Sequence, residues 1–125
     1  MGMPQDHVDA TALIARALAP YEERPAAEGV AALIGDLIAC GQKLHGALTG
    51  TPSRQRPAGA FEALAEWEYF TAVGPLGSGP HANWNHARGL ARIIRQLVRA
   101  LEHEDGCRRA GPWDPVAVRP RREAP

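Results

Sequence analysis

Arg88-Gly89-Leu90-Ala91-Arg92-Ile93-Ile94-Arg95-Gln96-Leu97-Val98-Arg99-Ala100-Leu101 carries two patterns at once, and their spacing decides the fold. At about 100° per residue, Arg88, Arg92, Arg95 and Arg99 fall within an arc of roughly 60° on a helix. Leu90, Ile93, Ile94, Leu97, Val98 and Leu101 centre on the opposite side. The segment is a helix with one apolar and one cationic face, and the apolar face needs partners.

The rest of the chain supplies them. Asp6 or Asp9 is the expected cap of a short first helix that carries Leu13, Ile14, Ala17 and Leu18 on one side, reaches about Ala19 and stops at Pro20. A second helix, from about Ala26 to Leu48, repeats Val30, Leu33, Ile34, Leu37, Ile38, Leu44 and Leu48 at three-four spacing, with Gly41 inside the stripe. Its other side carries Ala32, Gly35, Ala39 and Gly46. Small residues cost helix propensity but admit a neighbouring backbone, so this helix is expected to be central and packed on two sides. A mobile loop from Thr49 to Gly59 leads to a third helix, Ala60 to Val73, with Phe61, Leu64, Trp67 and Phe70. The break Gly74-Pro75-Leu76-Gly77-Ser78-Gly79-Pro80 precedes the arginine helix, read from Trp84 to about Glu104 with Asn83 as its cap. Beyond Gly106 the chain is rich in Pro and Arg and has no periodicity, which predicts disorder. The expected architecture is all-α: a four-helix up-down bundle with a short first helix over residues 1–106, and a disordered tail over residues 107–125.

Composition narrows the function classes. A chain of 125 residues makes one domain and buries a core without metal or disulfide staples. Fourteen basic and fourteen acidic residues cancel, which argues against a surface built wholly for nucleic acid. No run approaches the roughly 18 apolar residues of a membrane span, and Met1 to His7 lacks a basic-then-apolar leader pattern. Cys40 and Cys107 are too few and too distant for a disulfide framework, so a reduced, cytoplasmic setting without a membrane partner is expected. Thirteen arginines against the single Lys43, with abundant Ala, Gly and Pro, reflect GC-rich coding.

The order of parts resembles a known group. Pro20-Tyr21-Glu22-Glu23 opening a long Leu/Ile helix, a Gly/Pro break, and a closing helix with His86-Ala87-Arg88-Gly89-Leu90-Ala91-Arg92 are similar to a family of small helical proteins from high-GC bacteria, labelled as associated with natural product biosynthesis. The resemblance covers roughly Thr11 to Glu104 by pattern rather than by a distinctive motif. It implies a helical fold, a bacterial cytoplasmic setting and no catalytic residue.

Two sets of residues are candidates for a site. The first is the row Arg88, Arg92, Arg95 and Arg99. Its plain reading is a solvated face; its functional reading is a partner surface, because no acid shares its arc and guanidinium groups grip carboxylates and phosphates bidentately. Glu62 and Glu66, or Glu22, Glu23 and Glu28, are the acids that would face the row across a helix interface or from a second copy of the chain. The second set is Trp67, Glu68, Tyr69, His81, Trp84 and His86, which would line a ligand pocket between the third and fourth helices. Glu68 falls on the apolar side of its helix, where burial would raise its pKa; the plain reading is a rim residue that bends out to water. His81 and His86, five apart, match no zinc motif even with Glu68 added, so no metal or cofactor is expected. The glycine-rich break lacks the Gly-Lys-Ser/Thr of a phosphate loop and reads as a connector. No nucleophile-base arrangement emerges, which leans against an enzyme. The function expected is a non-catalytic interaction or accessory protein using the arginine face, with a protein partner or self-association. A small enzyme or ligand-binding protein is the alternative, and a nucleic-acid-binding regulator a weaker one, since no helix-turn-helix or aromatic reading surface is present.

Overall fold

In the computed structural model, which describes residues 5–52 and 59–110 and the side chains of residues 10–52 and 59–103, four α-helices form an up-down bundle. They are α1 (Gln5–Ala17), α2 (Ala27–Thr49), α3 (Ala60–Val73) and α4 (Pro80–Ala110), with a single 3-10 turn at Tyr21–Glu23 between the first two. No strand occurs among the described residues. The largest interface joins α2 to α4, and α4 also packs on both α1 and α3. The core is the meeting of two stripes: Val30, Leu33, Leu37, Leu44 and Leu48 from α2, and Leu90, Ile94 and Leu97 from α4. Each such side chain, fully buried, contributes about 1.5–3 kcal/mol before the entropy of ordering the chain is counted.

The ends of α1 and α4 differ from those expected. α1 already begins at Gln5, so Asp6 and Asp9 lie inside it and do not cap it. α4 begins one turn ahead of Trp84, at Pro80, because a proline at the first helical position gives up an N–H that has no partner there anyway. Gly79, at φ 99°, turns the chain into that position, and its carbonyl accepts the N–H of Asn83 at 3.0 Å. Asn83 is thus a first-turn residue and no cap. At its other end α4 continues to Ala110, which takes Cys107 and the start of the expected tail into the helix. The remainder of that tail, 111–125, and most of the expected mobile loop, 53–58, lie outside the described residues.

One packing expectation is reversed. Ala32, Gly35, Ala39 and Gly46 are all exposed, and a Cβ added at Gly35 or Gly46 would meet nothing within 4 Å. The close approach occurs inside the Leu stripe, at Gly41, where the six-membered ring of Trp67 fills the space a Cβ would need. The bulk of that indole, rather than a run of small residues, selects where α3 meets α2.

Candidate functional site

α3 is held to the bundle by two aromatic side chains, each seated on a glycine of a different helix. Trp67, 1% exposed, lies on Gly41 of α2. Phe70 lies on Gly89 of α4, where its Cε2 would stand 2.8 Å from any Cβ. The ring of Phe70 is also stacked on His86, with ring centroids 4.8 Å apart and planes inclined by 15°. His86 is 6% exposed, and burial lowers its pKa below the ordinary 6.5, which favours the neutral ring.

Outside this double seat, the α3 and α4 surfaces diverge and leave an open groove of about 520 Å³. Ala65, Glu66 and Tyr69 form its α3 wall, Arg92 and Ile93 its α4 wall, and Phe70 with Gly89 its floor. Phe61 continues the Ala65–Tyr69 row by one turn. Phe61 and Tyr69 are 76% and 70% exposed, unusual for side chains of that size in a bundle that buries both Trp67 and Trp84. The walls also differ in charge. Of the residues that line the groove, Glu66 is the charged one on the α3 wall and Arg92 the charged one on the α4 wall. Among the described residues, neither Glu66 nor Arg92 forms an ion pair within the chain.

The arginine row proves to be two sets. Arg88 is half-buried, and its guanidinium donates to the carbonyls of Ala19 at 2.9 Å and Ala17 at 3.4 Å, the end of α1. These are carbonyls that a helix C-terminus leaves without an internal donor, and the cation also opposes the negative end of the helix dipole. Arg88 is therefore a clasp between α4 and α1 and not part of a free face. Arg95 is half-buried, and Arg92 and Arg99 are exposed. Of the four, Arg92 is the one that borders the groove.

The six residues expected to share a pocket do not converge. Trp67 and Trp84 are both in the core at 1% exposure, and neither indole Nε1 has an acceptor among the described residues, a desolvation cost of about 1–3 kcal/mol each. Glu68 is not buried: its side chain is 62% exposed and accepts a hydrogen bond from Nε2 of His45, on α2, at 2.7 Å. His81 meets Tyr21 edge-on at 5.6 Å. His86 belongs to the Phe70 stack, and only Tyr69 reaches the groove. The reason is helical geometry, since Trp67, Glu68 and Tyr69 step by about 100° each, which sends Trp67 to Gly41 and Glu68 to His45 on α2 and Tyr69 to the groove. The same dispersal separates His81, His86 and Glu68 as metal ligands, and no group of three or more His, Cys, Asp or Glu converges among the described residues.

A pocket does open between α3 and α4, where Tyr69 is joined by Ala65, Glu66, Phe70, Gly89, Arg92 and Ile93. The available signal was Gly89 itself. A glycine within a helix costs about 1 kcal/mol against alanine and calls for a packing reason. No helix among the described residues is long and apolar enough to cross a membrane. No curated protein and no solved structure shows significant similarity to the chain. Residues 9–106, which span α1 through most of α4, match a family described as a family of unknown function, DUF6415. With most of its length inside that match, including all of α2 and α3 and the greater part of α1 and α4, the chain belongs to the DUF6415 family.

Proposed function

We propose that this chain is a non-catalytic interaction protein that docks through the α3–α4 side of the bundle. The observation that carries this reading is the exposed pair Phe61 and Tyr69 beside a groove edged by Arg92. Exposed aromatic side chains next to a guanidinium are the composition of interface centres, where Tyr and Arg are enriched. The histidines His45, His81 and His86 support a non-catalytic role, because each is engaged separately: His45 with Glu68, His86 with Phe70, His81 with Tyr21. The setting we propose, from the resemblance in sequence pattern, is natural product biosynthesis in a bacterial cytoplasm; the identity of the neighbouring genes tests it.

A photo-crosslinking amino acid at position 69, in the chain expressed in its own cells, tests the docking surface. Adducts are expected, and Arg92→Glu with Arg95→Glu should abolish them while the circular dichroism spectrum is unchanged. Adducts that persist at full yield in the double variant would refute the arginine contribution. The lack of any adduct would refute the surface. A second reading, a small-molecule site, is favoured by the apolar floor of the same groove. Quenching of Tyr69 fluorescence by an apolar acid such as a medium-chain fatty acid, abolished by Arg92→Glu, is its signature.

A further inference from the structure

The groove combines an acidic wall, an apolar floor and a basic wall. That order restricts what fits. An anionic partner is drawn to Arg92 and repelled by Glu66, and a cationic one meets the reverse, whereas a partner with the same three bands in opposite order is attracted along both edges. The chain itself provides such a partner, in a single orientation.

We propose that the occupant of the α3–α4 groove is a second copy of this chain, related by a two-fold axis that runs along the groove. The proposal rests on the reading of this side as the docking surface, and it names the partner. Two face-to-face symmetric arrangements keep the helices of the two copies aligned. An axis across the groove lays α3 on α3 and α4 on α4, setting Glu66 toward Glu66 and Arg92 toward Arg92 of the other copy. An axis along the groove lays each α3 on the other copy's α4, antiparallel to it. Because Glu66 and Arg92 border the same opening, this second arrangement keeps them at one level, and Glu66 of each copy meets Arg92 of the other. Both are unpaired within the protomer among the described residues, so no existing ion pair is broken to form the new ones. Phe61 and Tyr69, which stand out from the acidic wall, then enter the partner's groove and lose their exposure to water. An isologous contact forms each of these interactions twice.

Sedimentation equilibrium of the full chain, diluted a hundredfold from about 100 µM, reads the proposal directly. The expected result is a monomer–dimer equilibrium that weakens as salt is added. Glu66→Arg and Arg92→Glu should each raise the dissociation constant by roughly tenfold or more, since each reversal places two like-charged pairs in the interface. The doubly reversed chain, Glu66→Arg with Arg92→Glu, restores the bands in mirror order and should return to within about threefold of the parent. Tyr69→Ser should weaken the dimer without altering the circular dichroism spectrum. A monomer at every concentration, a dimer indifferent to both single reversals, or a double reversal as weak as the singles would each overturn the proposal. A monomeric chain that still gives Arg92-dependent crosslinks from position 69 to a heterologous protein would leave the interaction reading standing and remove only the second copy as its partner.

Discussion

Trp67 lies on Gly41 so closely that any side chain there must displace it: a Cβ at position 41 would overlap the indole ring, with Cζ3 only 2.6 Å away and other ring atoms nearer. Gly41→Ala therefore has to displace α3 or turn Trp67 out of its rotamer. Overpacking of this kind costs about 1–3 kcal/mol, more than the helix-propensity gain of roughly 1 kcal/mol returns. Gly35→Ala and Gly46→Ala, with nothing within 4 Å, should instead stabilise by up to about 1 kcal/mol. Urea denaturation of the three variants checks the contrast, and a stabilised Gly41→Ala would show that the seat is looser than described.

Arg88 and Arg92 lie one turn apart on α4 and should behave differently. Arg88→Ala removes the donors to Ala17 and Ala19 and leaves the half-buried end of α1 without its cation, so a loss of about 1–2 kcal/mol is expected. Arg92→Ala, at an exposed position, should stay within roughly 0.5 kcal/mol of the parent when measured as a dilute monomer. Equal effects at the two positions would mean that the clasp does not form.

Protonation of His86 opposes folding. Its folded pKa lies below the ordinary 6.5 because of burial, so below about pH 6.5 the unfolded chain binds more protons than the folded one, and stability falls as the pH drops toward the folded value. The full contribution is present above the unfolded pKa. Melting curves taken at about pH 7.5 and 5.5 should show this fall, and His86→Phe, which preserves a ring against Phe70, should reduce the difference. An unchanged pH dependence in that variant would show that other groups carry it.

The exposed pair of His45 and Glu68 ties α3 to α2 by one hydrogen bond. A double-mutant cycle with His45→Ala and Glu68→Ala at neutral pH should return a coupling of no more than about 1 kcal/mol. A larger value would mean that the pair positions α3 as strongly as the two aromatic seats do.

Much of the fold was legible in single segments, because each helix announces itself through its own spacing. α2 and α3 begin and end within a residue of where their patterns place them, and the stripe of Leu90, Ile94 and Leu97 is the buried one. The groove was not legible for the same reason. Its residues belong to two helices whose relative rotation is set by Phe70 on Gly89 and Trp67 on Gly41, and a match between a ring on one helix and a gap on another leaves no trace in either pattern alone. Trp67, Glu68 and Tyr69 are neighbours in sequence, and a helix sends them apart. Arg88 looked like its three companions since its acceptors, Ala17 and Ala19, lie some 70 residues earlier. The start of α4 was within reach, because Pro80 is itself a helix-start signal and competed with Asn83.

The two glycine seats have a consequence for anything that binds beside them. They lie on different helices, so α3 can neither slide along α2 nor roll against α4 without lifting a ring out of its gap. A partner that fills the groove meets walls already spaced and oriented, and its binding energy is not spent on ordering them. Alanine at position 41 or 89 should thus weaken association beyond any loss of global stability, with no groove-lining side chain altered in the first case. In this bundle the walls of the groove are set in place by two absent methyl groups.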